Sequence, residues 1–345
     1  MAEPAIPGHA DVIVVRRRPG PALAPGDLVP ERRPLREPSP GEVIVRNIVT
    51  SVDPYQLRML RGSAEVTPVA IGDPVPANSV GVVIQSNDPA VPVGGQVATY
   101  TGWQSHATTT VAPDEVADRA LGAPLDWISV LSTTGITAYI GINDVGHVQA
   151  GQTVLVSAAT GAVGGVAVQL AKAAGARVIA IAGGQDRVAH ATTVLGADAA
   201  VDYRDASFGP RLAETAAAAG GVDVFYDNVG GSQLTRALEV MNNYGTVVLC
   251  GTVSSYADPD APGAGADLHN AVFKRITLRG YIVGDFYPTR LQTARADLSA
   301  LLHDGRLKAV VSEFDGLDRA PEALASVFER GSPHIGRRVV RIAPD

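Results

Sequence analysis

The chain holds one cysteine, Cys250, among 345 residues. A single thiol excludes an intramolecular disulfide and every zinc site built on several thiolates. Lysine is almost as scarce, with only Lys172, Lys274 and Lys308, so arginine is the default cation. Lys and Arg together number 28 against 35 Asp and Glu, a formal charge of −7. That mild acidity offers no footprint for nucleic acid or an anionic membrane surface. The opening residues lack a basic segment followed by an apolar run, so no secretory signal is evident. The uncharged stretch from Val145 to Ala171 is broken by glycines and carries Gln149, Gln152 and Gln169. A membrane span needs about 20 mostly apolar residues, so none is expected. The expectation is a soluble, cytoplasmic protein.

What is present points to a compact globular chain, 46% hydrophobic and 18% charged. At roughly 150 residues per domain, the length predicts about two domains. The first third reads as short β-branched runs at 11–15, 41–52, 79–86 and 94–102, punctuated by Pro, Gly and Asp, with no helix of any length. A small antiparallel barrel or sandwich would bury such strands. From about Pro124 the pattern changes: a helix-like segment over 125–141 leads into strands at 153–158, 177–183, 199–203, 222–231, 245–252 and 277–286, separated by helical stretches. A long helix is expected near 288–305, and a last strand over 336–342 that could return to the first domain. Nearly all-apolar strands alternating with helices predict an α/β fold with a doubly wound parallel sheet.

The first βα junction reads Ser157-Ala158-Ala159-Thr160-Gly161-Ala162-Val163-Gly164. Ala158, Gly161 and Gly164 occupy the three small-residue positions of a dinucleotide turn, where the backbone amides approach a pyrophosphate and the helix packs closely on the sheet. An NAD site usually places Asp or Glu about 20 residues further on, to bind the ribose hydroxyls. Here the second strand ends in Ala182-Gly183-Gly184, followed by Gln185-Asp186-Arg187. The glycines leave room for a 2′-phosphate and Arg187 can pair with it, which favours NADPH. Asp186 fits either a ribose contact or the start of the next helix.

Together these residues resemble the medium-chain dehydrogenase/reductase superfamily, and within it the zinc-independent branch of prostaglandin reductases and plant alkenal double-bond reductases. Ser51-Val52-Asp53-Pro54-Tyr55 matches that branch's S-V-D-P-Y, and Gly102-Trp103-Gln104 its G-W element. Gly135-Ile136-Thr137-Ala138-Tyr139 resembles G-L-T-A-Y, and Tyr226-Asp227-Asn228-Val229-Gly230-Gly231 resembles F-D-N-V-G-G. The resemblance implies a Rossmann domain over 127–308 and a mostly β, GroES-like barrel domain over 1–126, completed by 309–345. It places Arg187 where relatives use Lys for the 2′-phosphate, and Tyr203, Asn228, Cys250 and Gly251 at cofactor-contacting positions. Backbone groups near Ile282 and Val283 would face the nicotinamide, and His334 stands where relatives often carry Asn. It also implies a homodimer, with a paired edge strand near Tyr281–Phe286.

The zinc signatures C-x-x-C and H-E-x-x-H are absent from the sequence, and Cys250 reads as a small packed hydrophobe. Without a metal, a nicotinamide enzyme needs an acceptor that is already electrophilic, such as an enone or enal. Hydride would go to the β-carbon and charge would develop on the carbonyl oxygen, where a hydrogen-bond donor helps. Tyr55 and Tyr256 are the candidate donors, although ordinary packing with the hydroxyl at the surface also fits them. Phe273 stands in a substrate-wall segment where relatives have Tyr, and it cannot donate. Weak proton delivery would let an enolate in a polyketide-like substrate close a ring, although protonation by water is the simpler outcome. An NADPH quinone oxidoreductase is the alternative within the superfamily. A non-catalytic NADP-binding partner protein is the alternative of another class.

Overall fold

The computed structural model describes residues 6–20, 22–63, 66–256, 267–329 and 331–344. The chain forms two compact units, Met1–Ile128 with Val311–Asp345, and Ser129–Val310. The first unit opens with an antiparallel pair, β1 (His9–Val15) and β2 (Leu28–Pro34). β3 (Val43–Val52) follows, mostly β-branched and buried along nearly its whole length. Next comes a helix, α1 (Pro54–Arg61), in a stretch whose sequence suggested only strands. The correction has a local cause. Asp53 stands at the N-cap, Pro54 presets the first helical φ, and the Asp53 N–H donates to Gln56 Oε1 at 3.0 Å. β4 (Ser79–Ser86) and β6 (His106–Thr109) both pair antiparallel with β3, and β5 (Gln96–Thr99) pairs with β4. The short α2 (Pro124–Ile128) closes this part.

In place of one helix over 125–141 there are two, separated by Ser129–Ser132. Ser132 Oγ and Thr134 Oγ1 donate to the Ser129 carbonyl at 2.7 and 3.0 Å, so side chains take the place of the helical ladder there. α3 (Thr133–Ile140) then opens the second unit and passes into a π turn over Gly141–Val145. β7 (Thr153–Val156), α4 (Gly164–Ala173), β8 (Arg177–Ala182), α5 (Gln185–Thr193), β9 (Ala199–Asp202) and α6 (Phe208–Ala218) make the first half of the alternation. β10 (Val222–Asp227), α7 (Gly231–Val240), β11 (Met241–Leu249), α8 (His269–Lys274), β12 (Thr277–Gly280) and α9 (Tyr287–His303) make the second. All six strands are parallel, in the order β12-β11-β10-β7-β8-β9. Leu155, Ile179, Ile181, Phe225 and Val247 join one apolar core beneath them. The order reverses between β7 and β10, and the carboxyl ends of strands at such a switch point are where open α/β sheets bind ligands.

β12 stops at Gly280 and Val283–Phe286 form a 3-10 turn, so the edge strand expected over Tyr281–Phe286 is not formed. Tyr281 supplies the reason: its hydroxyl turns inward and donates to the Thr137 carbonyl at 2.8 Å, which pulls the chain off the strand direction.

From Val311 the chain is again in the first unit. β13 (Val311–Asp315) and α10 (Ala320–Phe328) lead to β14 (Arg337–Arg341), which pairs parallel with β13 and antiparallel with β3. The resulting sheet runs β13-β14-β3-β4-β5, with Trp103, Phe314 and Val340 in its core cluster. Among the described residues no helix is long and apolar enough to cross a membrane.

Candidate functional site

At the carboxyl end of β7 the turn is built around one carbonyl. Ala158 adopts φ +46°, a left-handed conformation that costs an L-residue about 1–2 kcal/mol. Its carbonyl accepts the Gly161 N–H at 2.9 Å, and a Cβ on Gly164 would stand 2.3 Å from the same oxygen. Only glycine therefore lets α4 begin so close to the strand. The amides of Ala162, Val163 and Gly164 lie at that helix start, the kind of place that attracts a phosphate.

Beside this turn, β7 and β10 are locked together. Ser157 Oγ donates to Asp227 Oδ1 and accepts the Asn228 N–H, both at 2.8 Å, while Asn228 Nδ2 donates to the Ser157 carbonyl at 2.7 Å. The fully buried Asp227 carboxylate also accepts the Val229 and Gly230 amides at 2.9 and 3.1 Å. Burial pushes its pKa up, and these hydrogen bonds pull against that shift. The amides of Cys250 and Gly251 donate to the Asp227 carbonyl at 2.8 and 3.1 Å, so the end of β11 joins the same floor.

One strand away from the switch point, where β8 lies beside β9, the groups are charged. Gly183-Gly184 follow β8, and a Cβ on Gly183 would lie 2.6 Å from the Tyr203 ring and 2.9 Å from Arg204 Nε. The bare strand end is what lets these two side chains cross it. Burial first, then the neighbouring Arg204 guanidinium, lower the Arg187 pKa. Two guanidiniums near one strand end favour an anion there, a chemistry that suits a 2′-phosphate. Asp186 sits in the first turn of α5. The carboxylate that organises this corner is Asp202, which accepts the Gly184 and Arg204 amides at 3.0 and 2.9 Å. Arg204 and Asp202 escaped the sequence reading. They flank Tyr203 in sequence, and their meaning comes from β9 lying beside β8.

The remaining candidates are more dispersed. Tyr256 follows a short 3-10 turn, and its hydroxyl lies 3.6 Å from where a Cβ on Gly251 would stand. Ile282 is exposed and Val283 begins the 3-10 turn after β12. Phe273, 65% exposed on the short α8, stacks on His269 with ring centroids 4.5 Å apart. Tyr55 and His334 belong to the first unit. Tyr55 lies in the first turn of α1 and is largely exposed, while His334 packs its ring 4.6 Å from that of Phe314.

The motif around Tyr55 is structural. Asp53 Oδ2 accepts Ser51 Oγ and the buried Arg337 guanidinium, both at 2.8 Å, which fastens α1 to β14. Tyr100, another residue missed in the sequence, donates to Met59 Sδ at 3.5 Å, one helical turn beyond Tyr55. Burial, then Asp53 and Tyr55, push the Tyr100 phenol up to about 12. Among the described residues no group of three or more His, Cys, Asp and Glu could hold a metal ion.

Comparison with known proteins gives the family. Residues 12–116 match the family model of the N-terminal domain of oxidoreductase, and residues 162–300 match the zinc-binding dehydrogenase model. The NADPH-dependent curcumin reductase of Escherichia coli (strain K12) is 32% identical over 96% of each chain. The 2-alkenal reductase (NADP(+)-dependent) of Nicotiana tabacum is 32% identical over 88% of each. The crystal structure of CurA in complex with NADPH from Vibrio vulnificus superposes with a TM-score of 0.87 at 30% identity, covering 97% of this chain and 100% of that one. The chain belongs to the zinc-independent branch of the medium-chain dehydrogenase/reductase superfamily.

Proposed function

We propose that this chain is an NADP-dependent, zinc-independent oxidoreductase that reduces the C=C bond of an α,β-unsaturated carbonyl, an enone or enal. The observation that carries the reading is the bare glycine end of β8 crossed by Tyr203 and Arg204, with Arg187 on the helix that follows, in the same sheet as a turn shaped for a pyrophosphate. The turn from Ala158 to Gly164 holds the diphosphate, and Arg187, Arg204 and Tyr203 hold the 2′-phosphate. Asn228, Gly251 and the backbone of Ile282 and Val283 line the nicotinamide end. When bound, NADPH supplies a hydride to the β-carbon of the acceptor.

The protein's own work is then at the carbonyl oxygen, where enolate charge develops and a neutral phenol can donate. Tyr256 takes this role. At position 273 the ring has no hydroxyl to donate, so protonation of the enolate falls to water, and an enolate with a second electrophile in reach, as in a polyketide-like substrate, has ring closure as the competing path. The open β12 edge with the exposed Val272 and Ile282 supports a homodimer, to be checked by sedimentation.

The test follows loss of NADPH absorbance with 2-alkenals, a polyunsaturated enone and a small quinone, with product analysis by mass and NMR. Enal or enone turnover above quinone turnover is expected. The reverse order assigns a quinone reductase, and tight NADPH binding with no oxidation across the panel assigns a non-catalytic partner. Purely acyclic product from the polyunsaturated enone removes the cyclisation.

A further inference from the structure

A buried hydroxyl must find a partner, and the second unit buries two phenols against each other. Tyr226 is fully buried in β10, at the position where the branch motif carries phenylalanine. Its Oη lies 2.8 Å from Tyr281 Oη, and Tyr281 donates onward to the Thr137 carbonyl at 2.8 Å. Cys250 Sγ lies 3.3 Å from Tyr226 Oη. Helix α3 can come this near only because residue 141 is glycine: a Cβ there would stand 2.4 Å from the Tyr226 ring and 2.6 Å from Tyr281 Oη. At that same residue α3 turns into the π segment, a geometry frequent at functional sites.

Four segments meet at this knot. They are the Thr137 turn of α3, the end of β10 before Asn228, the end of β11 before Gly251, and the residue before Ile282. We propose that Tyr226 and Tyr281 are positioning residues that hold the Ile282–Val283 backbone in register for the nicotinamide. The inference rests on the NADPH reading of the strand ends. Burial keeps both phenols protonated, so the chain of bonds from Tyr226 through Tyr281 to Thr137 persists across the working pH range.

Tyr281→Phe and Tyr226→Phe keep the rings and remove only the hydroxyls. Tyr281→Phe is expected to lower kcat about tenfold through misplacement, while NADPH affinity by fluorescence titration stays within about threefold. The deuterium isotope effect with 4-deuterated NADPH rises, because the transfer step becomes slower relative to release. Cys250 is the sole thiol, so its labelling by a thiol reagent reads the knot in the cofactor-free protein, and it speeds up by about fivefold or more as the segment opens. Tyr226→Phe shifts the same readouts by less, since Tyr281 keeps its 2.8 Å bond to the Thr137 carbonyl while Tyr226 reaches that oxygen only at 3.3 Å; should Tyr281→Phe not fold, Tyr226→Phe decides by the same criteria.

Unchanged kcat, isotope effect and labelling would overturn the proposal, as would kcat and NADPH affinity falling in parallel with thermal stability. Wild-type protein that binds no NADPH overturns the cofactor reading instead. The Cys250 labelling then still reports whether the two phenols fix the segment.

Discussion

On the proposed reading, two regions of the second unit hold the nucleotide by different means. Between β7 and β10, at the switch point itself, backbone groups predominate: a carbonyl and a helix start, braced by a buried serine, aspartate and asparagine whose side chains satisfy one another. Between β8 and β9 the site is made of side chains, two guanidiniums and a phenol at a bare strand end. The backbone side cannot distinguish one pyridine nucleotide from another, because every such cofactor carries the same pyrophosphate. The side-chain side can, because only one cofactor carries the third phosphate. Affinity and selectivity are thus separable, and each can be broken alone.

The largest effect is expected on the backbone side. Gly164→Ala places a Cβ on the Ala158 carbonyl, and neither backbone element can yield without moving a strand end or a helix. We expect a loss of about 3 kcal/mol in stability, read by urea unfolding, and loss of NADPH and NADH binding alike. A variant that binds either cofactor normally would show that the turn is looser than its geometry states.

An intermediate effect is expected on the other side. Charge-assisted hydrogen bonds contribute about 1.5–3 kcal/mol each, so Arg187→Ala with Arg204→Ala should weaken NADPH roughly a hundredfold or more. NADH affinity should hardly change, and the extra salt dependence expected for NADPH over NADH in the wild type should vanish in the double variant. Equal losses for both cofactors would remove the distinction drawn above.

The smallest effect sharpens the backbone side. Ala158→Gly relieves the left-handed strain but adds chain entropy to the unfolded state, and the two nearly cancel. A net gain of no more than about 1 kcal/mol is expected, with NADPH affinity unchanged. A clear loss of stability would mean that the alanine methyl packs in a way the turn geometry does not suggest.

The parallel sheet was legible because buried strands and their helices repeat in sequence, and the turn from Ala158 to Gly164 was legible because all of its parts are contiguous. α1 was missed although Asp53, Pro54 and Gln56 spell a helix start, because β-branched residues on its N-terminal side dominated the pattern. Arg204 was missed for a different reason. Its importance comes from β9 lying beside β8, a neighbour relation that no local spacing encodes. The Tyr226–Tyr281 knot likewise joins residues 55 positions apart, and a single extra hydroxyl in a familiar motif carried no weight until its partner was in place.

The pairing of β14 with β3 has a consequence for synthesis. On the ribosome, the second unit emerges whole and contiguous, so it can close as soon as its last helix is out. The first unit must wait, with the Val49–Val52 end of β3 lacking its β14 partner, until residue 341 has been translated. The segment made earliest is therefore completed last, and its uncovered sheet flank is the surface a chaperone would find during elongation.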